Sequence, residues 1–332
     1  MELSWEPLTL NLKVTWRIAH GASDQRHNVI VHIGDGLGEA AAVPHHGESR
    51  EGIIAYLESV VDKRWDPFQI EDVLDDLPQG SQAARTSIDL ALHDLLGKNL
   101  NQPLYRILGL NPARAPLTSY TVSIDQPAIM AERVRESGMP IIKIKLGGGE
   151  DEAAVAAIRQ ATTARLRVDA NAGWNREQAL NIIPRLVDYG LEFIEQPLAI
   201  DDIEGLCWLR LRLAAQNVNI PIFADENIKT SKDVAAHSGS VDGVVIKLMK
   251  AGGIREAIRA IHTARALGMQ IMLGCMVEST LGVTAAAHIA SLCDYVDLDG
   301  PLMISNDPFL GVKYDGARLV VPDRPGLGVI PK

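Results

Sequence analysis

Basic residues are in short supply: 32 Lys and Arg stand against 42 Asp and Glu, a formal net charge of −10. A surface built to grip nucleic acid or an anionic membrane needs clustered cations, so neither partner is expected and a small molecule is. Cysteine is also scarce. Cys207, Cys275 and Cys293 form the whole set, an odd number without the paired spacing of a zinc site or a redox dithiol. That is a poor disulfide framework, and the expected location is the reducing cytoplasm. No apolar run approaches the length of a membrane span, and the opening MELSWEPLTL carries neither the basic nor the apolar region of a signal peptide. There is no low-complexity segment and no phosphate-cradling GxxxxGK. The glycines at 147–149 and 251–253 read as ordinary loop glycines.

What is present is a long alternation. At 332 residues the chain exceeds the usual size of a single core, so a large barrel with a smaller companion is the natural expectation. From about residue 118, short β-branched runs alternate with segments of helical periodicity, as βα units around a parallel sheet require. Eight strands are expected, over 119–122, 141–146, 166–170, 193–196, 222–225, 244–247, 270–273 and 295–298. Residues 1–114 read differently, as three antiparallel strands followed by helices. The expected fold class is α/β: a modified TIM (β/α)7β barrel over 115–304 with an N-terminal α+β capping domain over 1–114. The segment 305–332, with its hairpin pattern LGVKYDGARLVVPD, is expected to return to the capping domain and complete it.

The chemistry sits at the strand ends. Asp169 closes RLRVDAN, Glu195 closes LEFIEQP and Asp225 closes IPIFADE. Every strand of a parallel barrel ends at the same rim, so these acids converge, and three hard oxygen ligands suit Mg²⁺. A single acid at a loop start could equally cap a helix; three at consecutive strand ends argue for a site. Lys143 and Lys145 are two apart on one strand and share the interior face, where each needs an anion. Lys247 ends the sixth strand, nearly opposite, so two lysines can reach opposite faces of one substrate carbon. Lys250, just beyond, reads as solvated or helix-capping. The eighth strand brings Asp297 and Asp299 to one face, able to hold a substrate ammonium. After the seventh strand, Cys275, Met276 and Val277 can offer backbone N–H groups to a carbonyl or carboxylate. Cys275 has no partnered histidine in a recognisable motif and is assigned no nucleophilic role.

The ordered set KIK, DAN, EQP, ADE, KLMKAGG, GCMVES and DLDGP resembles the muconate-lactonizing branch of the enolase superfamily, most closely its dipeptide epimerases of the L-Ala-D/L-Glu epimerase group. The resemblance spans nearly the whole chain. It implies that Asp169, Glu195 and Asp225 bind Mg²⁺, which holds the carboxylate of the C-terminal residue. It also implies that Lys145 and Lys247 are the two acid/base catalysts with Lys143 assisting, and that Asp297 and Asp299 bind the α-ammonium of a dipeptide. Acidic-substrate members carry an arginine in the first capping loop; here RIAHGASDQR has Gly21 near that place, with Arg26 close by and Asp24 between them. The specificity loops, with His20, Asp24, Arg26 and His45, are therefore expected to favour an apolar or cationic second residue over glutamate. Rival readings are N-acylamino acid racemase, o-succinylbenzoate synthase or muconate cycloisomerase of the same branch, a Schiff-base lyase, or an inactive binding barrel; a homo-oligomer is compatible with all of them.

Overall fold

A computed structural model describes the whole chain, Met1 to Lys332. At the N-terminus three strands form an antiparallel sheet: β1 (Leu3–Ile18), β2 (Gly21–Ile33) and β3 (Gly36–Ala40). Gly34 takes the left-handed conformation that the turn between β2 and β3 demands, at φ +54. Three helices follow: α1 (Arg50–Ser59), α2 (Ile70–Asp75) and α3 (Gln82–Asn99), with Ser49 and Ser81 capping the first and third. The sheet meets α3 through bare backbone. A Cβ on Gly36 would fall 2.2 Å from Ala91 O, and one on Gly38 would fall 1.9 Å from Ser87 O. Around that contact Val29, Val31, Ile33, Ile53, Leu57, Ile88 and Leu92 build a core of their own.

After a single turn, α4 (Leu104–Ile107), the βα alternation begins. Its elements run β4 (Tyr120–Val122), α5 (Pro127–Ser137), β5 (Ile141–Lys145), α6 (Asp151–Ala161), β6 (Arg165–Asp169), α7 (Arg176–Val187), β7 (Leu191–Glu195), α8 (Ile203–Ala215) and β8 (Ile222–Ala224). They continue α9 (Ser231–Ala236), β9 (Gly243–Lys247), α10 (Leu248–Ala251), α11 (Ile254–Ala266), β10 (Gln270–Gly274), α12 (Thr280–Ala287) and β11 (Tyr295–Asp297). The eight strands pair in parallel in chain order, and a parallel bridge between Thr118 and Val296 joins the last to the first. This is the expected (β/α)7β closure. The lower end of the barrel is plugged: Phe193, Phe223, Val245 and Met272 pack with Tyr295, and the Arg167 guanidinium lies over the Phe193 and Tyr295 rings at 5.5 and 5.0 Å. The barrel interior is thus filled at that end, and the strand ends that carry the acids and lysines lie at the other.

Carboxylates rivet the N-terminal layer to the barrel. Helix α11 starts at Gly253, which has no side chain to cap it; Asp89 on α3 supplies the acceptor for Ile254 N and Arg255 N at 2.7 and 3.2 Å. Asp94, on the same helix, takes Leu37 N of the sheet and Leu327 N of the C-terminal segment. That segment forms β12 (Phe309–Leu310) paired with β15 (Ile330–Pro331), and the hairpin of β13 (Lys313–Asp315) with β14 (Arg318–Val320). Its contacts go both ways, through Ala317 O to Thr118 N and through Gly326 O to Leu104 N. No helix is long and apolar enough to cross a membrane.

Candidate active site

Strand register alone lines up the chemistry. Lys145 pairs with Asp169 and Asp169 with Glu195 across β5, β6 and β7; Lys247 pairs with Gly274 and Gly274 with Asp297 across β9, β10 and β11. These residues end their strands in one ring, and Asp225 joins it one position beyond β8. Gly274 is the gap that admits Lys247, whose Cε would stand 3.1 Å from a Cβ there. Asp169, Glu195 and Asp225 are buried, and one carboxylate oxygen from each lies within 4.8 Å of the others.

So dense a set of negative charge needs cations, and the lysines supply them unequally. Lys143 Nζ touches three carboxylates, Glu195 and Asp297 at 2.8 Å and Asp169 at 3.2 Å. Lys145 rests on Asp169 alone at 2.6 Å, and Lys247 on Asp225 at 2.7 Å. Burial works against the charge on Lys143 and Lys247, but Asp297 and Glu195 for the first and Asp225 for the second hold both above the usual ammonium range. Glu195 is pushed well above the carboxylate range by burial and by Asp169. Asp225 stays well below that range despite burial, because Lys247 and Lys250 face it. The expectation of a solvated or capping Lys250 is thus corrected. The single turn α10 folds its side chain under the rim, where Nζ bonds Asp225 Oδ1 at 2.5 Å and the residue is 1% exposed.

The two eighth-strand acids are not equivalent. Both oxygens of Asp297 are engaged, Oδ2 by Lys143 and Oδ1 by Ser119 Oγ at 2.6 Å. Asp299 accepts only from Thr121, at N, through Oδ2. Burial and the neighbouring Asp297 raise its carboxyl to about 7.

A cavity of about 450 Å³ opens over the ring, the size of a small-ligand site. Lys143, Lys145, Asp225, Lys247, Cys275, Met276, Val277, Asp297 and Asp299 all line it, and from the N-terminal layer so do His20, Arg26 and His45. His45 is held neutral, down to about 4, by burial and the adjacent His46. Burial and Glu278 keep the Cys275 thiol well above its usual range, so it stays a packing group. One backbone donor proves engaged: Met276 N binds Glu278 Oε1 at 2.8 Å rather than facing the cavity.

The first specificity loop differs most from expectation. Gly21 to Arg26 is strand, the start of β2, and only Ala19 and His20 make the turn. The register slips between Asn11 and Trp16, so residues 12–15 bulge opposite Asp24. Asp24 turns out to accept from Thr15 Oγ1 at 2.6 Å and does not line the cavity. Arg26 does. Its guanidinium meets no carboxylate within ion-pair distance and donates only to the neighbouring Gln25 O. The hairpin tip closes over the rim through Arg17 O, which accepts from Ile124 N, and through Ala19 against Gly147 and Gly173.

Several lining residues escaped the sequence reading. Asn171 and Glu226 stand inside the DAN and ADE motifs but pass there for spacers; in the fold Asn171 Nδ2 donates to Glu226 Oε1 at 3.2 Å. Trp16 and Ile18 carried only the signal of strand alternation.

Comparison with known proteins agrees with this geometry. Residues 8–109 match the N-terminal domain of the mandelate racemase/muconate lactonizing enzyme family, and residues 127–332 match the enolase C-terminal domain-like family. The chain is 38% identical to the L-Ala-D/L-Glu epimerase of Bacteroides thetaiotaomicron over 99% of its own length and 88% of that protein's. It is 42% identical to the hydrophobic dipeptide epimerase of Roseobacter litoralis over 74% of its length and 72% of that protein's. The dipeptide epimerase of Enterococcus faecalis V583, solved with Mg and L-Leu-L-Tyr, superposes with a TM-score of 0.92 at 33% identity, covering 99% of this chain and 98% of that one. The chain belongs to the mandelate racemase/muconate lactonizing enzyme branch of the enolase superfamily.

Proposed function

We propose that this protein is a Mg²⁺-dependent dipeptide epimerase that inverts the α-carbon of the C-terminal residue of an L-Ala-L-Xaa dipeptide. The observation that carries this reading is the buried carboxylate trio, one member of which, Asp225, lines the cavity together with two opposed lysines and a second pair of acids. Asp169, Glu195 and Asp225 fit a divalent ion: they are buried, close together and of the hard-oxygen type Mg²⁺ prefers. Bound there, the ion would draw electron density from the substrate carboxylate and so ease loss of the adjacent proton.

The residues divide the remaining work. Lys145 and Lys247, each on a single carboxylate, are assigned as the acid/base pair on opposite faces of the α-carbon. One removes the proton, and the other returns one to the opposite face of the planar enediolate. Lys143, held by three carboxylates, is the fixed cation that stabilises the developing negative charge. Asp299 and Asp297 take the α-ammonium. An N-acylated amino acid has no ammonium to offer, which weighs against the racemase reading, and proton transfer to and from a lysine side chain needs no imine. Borohydride with substrate should therefore leave the protein unlabelled.

Arg26 governs the second residue. A half-buried guanidinium without a carboxylate partner, facing the cavity, suits an acidic side chain, and this reverses the preference drawn from Asp24. The similarity to an L-Ala-D/L-Glu epimerase supports the same choice. A second reading, an apolar residue, is favoured by Trp16, Ile18 and Met303, which line the same cavity. A dipeptide library decides between them. L-Ala-L-Glu is expected to exceed L-Ala-L-Leu and L-Ala-L-Lys in kcat/KM by about tenfold, equivalent to roughly 1.4 kcal/mol, and Arg26→Ala should erase the margin. A lead for L-Ala-L-Leu that survives Arg26→Ala would favour the apolar reading.

A further inference from the structure

Outside the cavity, two fully buried carboxyl groups meet where the N-terminal sheet joins the barrel. Glu39 on β3 accepts four hydrogen bonds: Asn28 Nδ2 at 2.8 Å, Ser279 N at 3.0 Å, Ser279 Oγ at 2.6 Å and Gly282 N at 3.0 Å. It caps α12 from another part of the chain, accepting from backbone N–H groups at the helix start. Glu278 receives one donor, Met276 N at Oε1, and its buried Oε2 has none. A Cβ on Gly282 would lie 2.4 Å from Glu278 Oε2 and 3.1 Å from Glu39 Oε2, so the two oxygens flank one small space. Neither acid forms an ion pair. Other ionisable groups nearby are Lys247 at the end of β9, committed to Asp225, Cys275 on the same loop, Asp299 on the eighth-strand loop, and Asp307, which binds Thr280 N and Oγ1.

Two adjacent buried charges of one sign without a counter-cation are not sustained. Glu39 has the donors that an anion needs, and Glu278 has a bare oxygen beside it. We propose that Glu278 is a positioning residue: its carboxyl stays protonated at neutral pH, donates to Glu39 across Gly282, and holds the Met276 amide through its other oxygen. The strut fixes the Met276–Val277 wall of the cavity to the N-terminal sheet, a tie that Asn28 reinforces by donating to Val277 O at 3.3 Å. Glu278 does not line the cavity, so it acts through that wall and not on substrate. Burial and Glu39 together lift its carboxyl to about 8. Above that pH the shared proton is lost, two anions face each other, and the wall loosens.

The inference rests on the dipeptide reading for its kinetic arm only. The KM of L-Ala-L-Glu is measured from pH 6.5 to 9.5 for wild type and Glu278→Gln, whose neutral amide keeps a donor in place. The substrate ammonium also titrates near pH 8, but it cancels in the ratio of the two KM values. That ratio should stay near one at pH 7 and rise at least about threefold by pH 9.5, with the kcat profiles parallel. A ratio constant with pH would overturn the proposal.

The thermal arm needs no substrate and stands even if the dipeptide reading fails. A carboxyl raised from its ordinary value to about 8 by folding binds more protons in the native state. Its stabilisation is full below the ordinary value, is lost as pH rises toward 8, and changes no further above it. The Tm of wild type relative to Glu278→Gln should therefore fall between about pH 5 and 8 and then level; a flat difference would contradict the shared proton. Should the variant not fold, infrared titration of the wild type with Mg²⁺ must show a protonated carboxyl persisting above pH 7 and lost near 8, and its absence would overturn the assignment.

Discussion

At the residue scale, the proposed chemistry rests on an unequal division of charge. Lys143 is locked among three acids, whereas Lys145 and Lys247 each lean on one. Lys145→Ala and Lys247→Ala are each expected to lose epimerisation by about 10² to 10⁴, while each exchanges the α-proton of one isomer only. NMR in D₂O separates the two, and equal exchange of both isomers by either variant would refute opposed bases. The eighth-strand acids should separate as well. Asp299, the less committed, must shed its proton near pH 7 to receive an ammonium, so the dipeptide KM should fall as pH rises through 7. Asp299→Asn should remove that limb and weaken the preference for free over N-acetylated dipeptides by about 2 to 5 kcal/mol; an unchanged KM profile would deny it the role. Asp297→Asn should raise the dipeptide KM too and, because Asp297 also holds Lys143, lower kcat.

At the scale of elements, the hairpin tip and the barrel loops fit by backbone contact. Gly147 sits at φ +95, and a Cβ there would come within 2.8 Å of the Ala19 side chain. Gly147→Ala should lift the tip from the rim, raising KM more than it lowers kcat and costing about 1 to 3 kcal/mol of stability from the strained backbone. Chemical denaturation with steady-state kinetics tests both. Asp89→Ala should cost about 2 kcal/mol through the lost cap of α11, without altering KM.

The same scale explains what the sequence could and could not show. Strand ends were legible because a parallel barrel converts periodic β-runs into one rim, so Lys145, Asp169, Glu195 and Lys247 could be placed from spacing alone. Lys250 was not, since the four-residue α10 that turns it under Asp225 is too short to leave a periodic trace. Asp24 and Arg26, two apart on a strand, would share a face in regular geometry. The register shift over residues 12–15 brings Thr15 to Asp24, which bonds it and does not line the cavity as Arg26 does, and nothing local in either strand announces it. Glu278, next to Cys275, Met276 and Val277, carries no role in the sequence reading, because the group beside it, Glu39, lies 239 positions earlier in the chain, where no local pattern could supply it.

At the scale of the whole molecule, the account requires that metal, bases and ammonium acids act on a single substrate under a cover supplied by the N-terminal layer. Metal should therefore stabilise the fold as well as enable turnover. At a hundredfold excess over Kd, Mg²⁺ is expected to add about 2.7 kcal/mol, and Glu195→Gln should abolish both the gain and the activity while leaving the barrel folded. Full turnover after exhaustive chelation would sink the metal assignment. The central claim, proton exchange at the α-carbon of a dipeptide's C-terminal residue, is tested most directly by incubating wild-type protein and Mg²⁺ with L-Ala-L-Glu in D₂O and following the C-terminal α-hydrogen by NMR. The account predicts deuterium at that carbon alone, together with growth of the L-Ala-D-Glu isomer. Exchange of N-acylated amino acids with every free dipeptide left inert would contradict it.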